Sequence, residues 1–323
     1  FYLQYSERML PTHRRLSQEL LGYDESLRPE PPEGRLPLGR AYHAEGKLVS
    51  SRSSWDSKSA HCVVYAKAGR EDNHGHPDWG QVCIDGFGER LIVDLGSTRG
   101  YPGPGKEFYY NYQQAGHNVV VIGHSDTGGV SVGARAPKES GSRYPQGRIT
   151  HSHFDDALGG SWLMDLTPVY PGSLRAHRHV IHLLPGVVAV LDDVQLKDAQ
   201  DIRLRWHTIV PVKLASDGSF SLEQGRARLT AKVVRLDGPL DIGTGLHEYR
   251  APYNVDRLGD PYNQLHEPFV EIRGHGTTFR LLSLFAVEEV TRSVSAWRVH
   301  TAGWTIDTMQ GEAVVLAHSD RLE

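Results

Sequence analysis

Apolar and polar residues alternate along most of the chain beyond residue 60, as they do in half-buried β-strands. Short runs rich in β-branched and aromatic residues are separated by Gly, Pro, Asp or Asn, which favour turns. The pattern predicts strands at 61–67, 80–86, 90–96, 117–123, 177–194, 201–210, 227–236, 268–274, 278–287 and 312–318. Because no helical segments alternate with these strands, we expect a mostly β fold, a large antiparallel sandwich of two sheets.

The beginning of the chain differs from the rest. Residues 1–26 carry the only good helical pattern, with leucines at roughly helical spacing. The proline-rich stretch 28–39 suits an extended connector better than a helix. We therefore predict a helical segment with a linker at 1–40 and a β-sandwich domain at 41–323. The opening residues, FYLQYSERML, read like the interior of a longer protein.

Composition narrows the classes of function. The net charge of −4 gives no support to non-specific binding of nucleic acid or of a membrane surface. No apolar run of about 18 residues occurs, so we expect no membrane span. The two cysteines, Cys62 and Cys83, lie in alternating apolar segments and are interpreted as buried free thiols, with a single disulfide as the alternative.

The stretch DNHGHPDWG, residues 72–80, crowds ligand-capable side chains into a few positions. His76 in this stretch precedes a predicted strand, Asp94 ends another, and His117 opens a third. Strand ends are places where distant parts of a chain converge. Two imidazoles and one carboxylate are a suitable ligand set for zinc, with a fourth position left for water. From the residues alone, a metal site and an ordinary surface loop both remain open.

Two other groups of histidines compete for a metal ion. His151 and His153 form a second His-x-His pair beside acidic residues, for which loop decoration is the simpler explanation. His177 and His179 fall on one face of a predicted strand and His182 on the other. A row of histidines on a solvent-facing sheet explains that second group as well as a ligand set does.

Three motifs, taken in order, resemble the β-sandwich domain of the heparinase II/III-like polysaccharide lyases, a family that includes alginate and oligoalginate lyases. They are the His-x-His-x-Asp stretch at 74–78, the Asp-Leu-Gly at 94–96 followed by Tyr101, and the pair His117–Asn118. Each motif is weak alone, and the ordered set is moderately specific. The resemblance covers most of residues 45–290.

The resemblance implies roles for individual residues. In that family a structural zinc is held by the second histidine of the His-x-His pair, by the aspartate of Asp-x-Gly and by the histidine of His-Asn. The corresponding residues here are His76, Asp94 and His117. The first histidine of the pair and the tyrosine line the sugar-binding cleft, which makes His74 and Tyr101 the candidate catalytic residues.

Two neighbouring residues are candidates for substrate binding. Arg99 lies in a long loop with other cationic residues, and a cationic loop would suit a polyanionic sugar. Asn73 could orient a neighbouring histidine, although it is equally suited to a turn. A charge-balanced surface would show a similar number of cations, so this signal is weak.

The family's activity is the cleavage of uronic-acid-containing acidic polysaccharides by β-elimination, and this is what the resemblance implies here. Its cleft lies between an N-terminal α/α toroid and the sandwich. This sequence lacks a toroid, since residues 1–26 resemble at most its last helix or two. The chain would therefore supply the zinc-stabilised half of the cleft, with a toroid on the same or another chain as partner. A secreted or periplasmic location is also implied by the resemblance.

Two other functions compete with this interpretation. A non-catalytic carbohydrate-binding or assembly module would retain the zinc and the aromatic residues without turnover. A cupin-like metalloenzyme also has His-x-His before a strand. A cupin needs a glutamate shortly after that pair, however, and the sequence PDWGQ that follows here offers only Asp78.

Overall fold

The computed structural model describes residues 26, 30–43, 47–56, 60–69, 76–94, 110, 113–123, 145–249, 266–293, 295–300, 303–308, 311–316 and 322. Within these ranges no α-helix occurs, and the sheets are antiparallel. The helix predicted in 1–26 falls outside the described residues except for Ser26. The chain divides into two compact units, Phe1–Leu36 and Pro37–Glu323.

The first sheet has five strands that follow one another in chain order. They are β1 (Gly39–Tyr42), β2 (Leu48–Arg52), β3 (Val63–Lys67), β4 (Gln81–Gly86) and β5 (Glu89–Ile92). Alternate residues of β3 and β4 are buried, as their apolar pattern predicts. The boundary that we predict between residues 40 and 41 falls within β1.

The second sheet has ten strands and forms the large layer of the sandwich. They are β6 (Val120–Ile122), β7 (Arg148–Asp155), β8 (Gly159–Asp165), β9 (Ser173–Leu183), β10 (Val187–His207), β11 (Lys213–Leu214), β12 (Ser219–Gln224), β13 (Ala227–Arg235), β14 (Asp241–Glu248) and β15 (His266–Glu289). The main order is β11-β12-β13-β15-β10-β9-β8-β7. At one end, β14 pairs with β15 and β6 pairs with β10.

Some strands are longer than their hydrophobic pattern predicts. The predicted strand 177–194 is a hairpin of β9 and β10, and β10 continues through 201–207. The predicted strands 268–274 and 278–287 are both parts of β15. Residues 195–200, four of which are polar, interrupt the apolar pattern of β10 at the point where its register with β15 shifts. Backbone pairing continues on both sides of such a bulge, so the strand is longer than the apolar segments from which it was predicted.

A third, smaller sheet covers part of the large one. Its strands are β16 (Arg298–His300), β17 (Gly303–Thr308) and β18 (Gly311–Leu316). Val188 and Val190 of β10 belong to the main core, whereas Val187, Ala189 and Leu191 belong to a second core with residues of β17 and β18. Because both faces of β10 are buried here, its sequence is apolar without alternation. The predicted antiparallel β-sandwich is confirmed, and the third sheet is an addition to it.

Two further expectations from composition concern the cysteines and the membrane. Cys62 and Cys83 are both free, as predicted. Among the described residues, none belongs to a helix with the length and apolar character needed to cross a bilayer.

Candidate functional site

Asp94 and His117, which are 23 residues apart in the chain, form a direct contact at one end of the sandwich. Asp94 follows β5, whose end is held because the Val93 amide donates to the His207 carbonyl at 2.9 Å. His117 follows the 3₁₀ helix Gln114–Gly116 and precedes β6. The Asp94 Oδ2 and His117 Nδ1 atoms lie 2.9 Å apart. The aspartate and the histidine that are predicted to bind the same metal ion are therefore neighbours.

His76 completes this group of predicted metal ligands. It lies just before β4, and its ring centroid is 5.3 Å from that of His117, with the rings tilted by 50°. Its side chain is largely buried, and that of His117 is fully buried. The structure thus places His76, Asp94 and His117 side by side.

The donor atoms of these residues are of types that bind metal ions, although the three side chains are not arranged as a set of metal ligands. Two ligands of one tetrahedral zinc would lie about 3.3 Å apart, given bonds of about 2.0 Å, so the Asp94–His117 spacing suits either a shared ion or a hydrogen bond. The buried His117 Nε2 has no hydrogen-bond partner among the described residues. In that same part of the chain, no three His, Cys, Asp or Glu side chains are arranged to hold a metal.

The charges around His117 favour a cation. Burial lowers the pKa of His117, but the charge of Asp94 and the hydrogen bond to it outweigh burial and leave the pKa raised. Burial raises the pKa of Asp78, even though Lys67 lies 2.9 Å from its carboxylate and His117 is also near. Two carboxyl groups around a buried imidazole stabilise positive charge there, whether it is carried by a proton or by a metal.

Asn118, the residue after His117, joins three strands by hydrogen bonds. Its Nδ2 donates to the carbonyls of Val82 on β4, at 2.9 Å, and of Val93 after β5, at 3.0 Å. Its Oδ1 accepts from the backbone amide of His207 on β10 at 2.7 Å, and the His207 ring Nδ1 lies 3.1 Å from the same oxygen. The amide is fully buried, so these bonds tie the two sheets together beside the Asp94–His117 contact.

A second chain of polar groups continues from His207. The Tyr110 hydroxyl lies 2.9 Å from His207 Nε2 and accepts from Arg205 at 3.0 Å, while Arg205 pairs with Glu271 at 2.7 Å. Burial, followed by the charge of Arg205, lowers the pKa of His207 to about 3. His207 is therefore neutral at physiological pH. The Tyr110 ring also stacks on His247, with centroids 3.8 Å apart.

Glu267 is a buried acid at the edge of the same region. It lies opposite His247 in the β14–β15 register, and it is 5% exposed. Burial raises its pKa to about 8, with a further contribution from the charge of Asp94, against a hydrogen bond from Tyr249. Glu267 and His207 were not predicted as site residues. No local pattern distinguishes them, since each has an ordinary strand sequence around it.

The four remaining predicted site residues are Asn73, His74, Arg99 and Tyr101, and all lie outside the described residues. The competing histidines are described. His151 and His153 are exposed on β7, and His182 is buried on the opposite face of β9 from His177 and His179, with its Nδ1 2.8 Å from Ser51 Oγ.

A charged groove of about 770 Å³ opens farther along the large sheet. Its wall includes Arg235 paired with Asp237 at 2.6 Å and Arg273 paired with Asp241 at 3.2 Å. None of the predicted site residues lines it. Three arginines and three aspartates line the groove, so these charges balance and give it no net positive charge for an anionic ligand.

Comparison with known proteins agrees with the sandwich and its motifs. A model of the family described as "Heparinase II/III-like, C-terminal" matches residues 58–280. A search of curated proteins finds no match. Solved structures with a similar fold include a heparinase III gene product, with a TM-score of 0.64 at 14% identity over 84% of this chain and 40% of the other.

Two other solved structures have the same relation to this chain. The heparan sulfate lyase HepC from Pedobacter heparinus has a TM-score of 0.64 at 16% identity, over 87% of this chain and 42% of that one. A further heparinase III has a TM-score of 0.62 at 12% identity, over 90% and 43%. The chain therefore spans less than half the length of these proteins. Since the family model covers more than half of the chain, this protein belongs to the heparinase II/III-like family and contains its C-terminal domain.

Proposed function

We propose that this chain is the sandwich half of a polysaccharide lyase that cleaves a uronic-acid-containing acidic polysaccharide by β-elimination. The observation that carries the proposal is the Asp94–His117 contact beside His76, within the part of the chain that the family model matches. Two solved structures of similar fold are named as heparinase III and heparan sulfate lyase. That similarity supports a glycosaminoglycan or a related uronic acid polymer as the substrate class.

The reaction needs a base, an acid and a group that neutralises the uronate. The base removes the proton at C5, its electron pair forms the C4–C5 double bond, and the acid donates a proton to the oxygen that leaves C4. Neutralisation of the adjacent carboxylate makes the C5 proton removable. A tyrosine in this role needs a lowered pKa, or acts mainly as the acid, because its free pKa is about 10.

These roles fall to residues that adjoin His76 and Asp94 in the sequence. His74 and Tyr101 carry the proton transfers contributed by the sandwich, and Asn73 and Arg99 contact the acidic sugar. An N-terminal toroid, on the same or another chain, supplies the opposite wall of the cleft. The enzyme would meet its substrate in the periplasm or outside the cell.

Zinc is structural in this proposal. His76, Asp94 and His117 would hold it, and the ion would fix the segments that flank β4, β5 and β6. The loop that carries His74 would then be aimed by its attachment to His76, two residues later. The 2.9 Å spacing of His117 Nδ1 and Asp94 Oδ2 and the two carboxyl groups near the His117 ring support a cation at this place.

The test is ultraviolet absorbance from an unsaturated uronate product, measured with the full-length protein on a panel of uronic acid polymers. The panel contains heparan sulfate, hyaluronan, alginate and pectin. We expect one polymer to yield product, and His74→Ala to abolish most of the turnover without loss of folding. The matched control is His153→Ala, at an exposed position in the other His-x-His pair. Polymer binding without absorbance would support a non-catalytic module instead.

A further inference from the structure

Asn118 has its side-chain orientation determined by its partners. The carbonyls of Val82 and Val93 can only accept, so both must face the amide nitrogen, at 2.9 and 3.0 Å. The His207 backbone amide can only donate, so it must face the amide oxygen, at 2.7 Å. Every polar atom of this buried side chain is therefore used.

The bond from Asn118 to Val93 connects the backbones that carry the predicted ligands. Asp94 directly follows Val93, and His117 directly precedes Asn118. A 3.0 Å hydrogen bond one residue away from each of them limits how far Asp94 and His117 can separate. This constraint keeps the two side chains, whose Nδ1 and Oδ2 atoms lie 2.9 Å apart, within reach of each other.

The orientation of Asn118 in turn determines the tautomer of His207. Because Asn118 Oδ1 can only accept, His207 Nδ1 carries the proton, and the neutral ring leaves Nε2 as an acceptor. The Tyr110 hydroxyl donates to that Nε2 and accepts from Arg205, which can only donate. The directions of the hydrogen bonds from Arg205 to Asn118 are thus all defined.

We propose that the buried chain Tyr110–His207–Asn118 is a positioning device for the Asp94–His117 pair, with Asn118 as its central residue. The role in metal binding rests on the function proposed above, whereas the effect on the Asp94–His117 contact does not. Tyr110 lies seven residues before His117. Its hydrogen bond to His207 therefore also secures the 3₁₀ segment that leads into His117.

The chain offers a matched control for Tyr110. Tyr170 is also a buried tyrosine, and its hydroxyl donates to the Val120 carbonyl on β6 at 2.6 Å. Removal of the Tyr170 hydroxyl takes away one hydrogen bond, whereas removal of the Tyr110 hydroxyl takes away two, to His207 and from Arg205. Only that of Tyr110 belongs to the chain that reaches Asn118.

The experiment follows the Nδ1 proton of His117 by NMR in metal-free full-length protein, where a bond to a carboxylate gives a protected, downfield resonance. The resonance is assigned by its absence from His117→Gln. We expect Asn118→Leu to remove or shift it, Tyr110→Phe to shift it, and Tyr170→Phe to leave it in place. Zinc affinity, measured with a competing chelator, should fall about 10- to 100-fold in Asn118→Leu, less in Tyr110→Phe, and least in Tyr170→Phe.

The outcomes of these measurements can be distinguished. If the Asn118→Leu variant does not fold, the comparison of Tyr110→Phe with Tyr170→Phe tests the positioning role without it. The positioning role would be overturned if the His117 Nδ1 proton had the same chemical shift in those two variants. It would also be overturned if the unmodified protein showed no such resonance. If the unmodified protein shows the resonance but binds no zinc, the zinc site proposed above fails, and the shift in Tyr110→Phe still supports positioning.

Discussion

Arg178 and Asp192 face each other across β9 and β10 as a fully buried ion pair. The Arg178 Nε and Nη2 atoms donate to the two Asp192 oxygens at 2.7 and 3.0 Å. The remaining nitrogen, Nη1, donates to the carbonyls of Gly80 and Asn118. One guanidinium thus joins the large sheet to the start of β4 and to the residue that follows His117.

Loss of this guanidinium should destabilise the fold strongly. Arg178→Leu leaves the Asp192 carboxylate buried without its partner, which costs about 3–5 kcal/mol in the free energy of unfolding. Adding Asp192→Leu should recover part of the loss, because no unpaired charge remains. Urea unfolding measures both.

The control for that substitution is Arg298→Leu, which removes an exposed arginine paired with Asp307 and Glu312. Solvent screens such pairs, so we expect no measurable change. Equal losses in the Arg178→Leu and Arg298→Leu variants would contradict the importance of burial.

Acid should weaken the protein through His182. Burial lowers the pKa of this histidine from 6.5 to about 4. Between these values the unfolded chain binds the proton and the folded chain does not, so stability is lost as the pH falls, by about 1.4 kcal/mol per pH unit. Urea unfolding of the His182→Gln variant should show this dependence reduced by about one proton relative to the unmodified protein.

At pH 8 the His182 ring is neutral in the folded and the unfolded states. The difference in stability between the His182→Gln variant and the unmodified protein at this pH therefore measures the cost of the substitution itself. Parallel stability curves from pH 8 to 4 would show that His182 does not titrate in this way.

Glu267 should have the opposite effect on the pH dependence. Its folded pKa of about 8 lies above the ordinary value of 4.5, chiefly because the carboxyl group is buried. Between these values the folded protein retains a proton that the unfolded chain releases, so stability falls as the pH rises. The Glu267→Gln variant keeps a neutral group at this position. In metal-free protein above pH 5, its stability should therefore fall less with rising pH than that of the unmodified protein.

Zinc offers a second check on Glu267. The charge of Asp94 contributes to the raised pKa, and a bound cation would offset that charge. The difference in the pH dependence of stability between the Glu267→Gln variant and the unmodified protein should therefore become smaller when zinc is added. If the two proteins differ in the free energy of unfolding by the same amount at every pH, titration of Glu267 is ruled out as the cause.

Removal of zinc should lower the melting temperature of the metal-loaded protein, because the ion would bind the folded state and not the unfolded one. His76→Ala should lower zinc content and melting temperature together. The matched substitution is His151→Ala, at an exposed position of β7, which should change neither. Unchanged zinc content in His76→Ala, measured by elemental analysis, would remove His76 from the ligand set.

Several strands whose buried and exposed residues alternate were predicted from the sequence. Val63–Lys67 and Gln81–Gly86 are examples, because one face of each packs on the core. Nine of the described strands were missed, namely β1, β2, β7, β8, β11, β12, β14, β16 and β17. Most residues of β7 are exposed, and β14 is buried only in part, so backbone pairing alone defines them and leaves little trace in the side-chain pattern.

The candidate site divides in the same way. His76, Asp94 and His117 were predicted from the order of the motifs, and the structure places them together. His207 and Tyr110 were not predicted as site residues. The ring of His207 bonds to a side chain 89 residues earlier, and nothing in the sequence around either residue indicates the other.

The sequence by itself determined the antiparallel sandwich and the family, because alternation and short motifs are local properties of the chain; the three candidate ligands remain a prediction from the family resemblance. Only the tertiary structure decided that Asn118 holds the segments of Asp94 and His117 together and that His207 and Tyr110 support it. Those contacts depend on the registers of β6, β10 and β15, and packing over the whole sheet sets these registers.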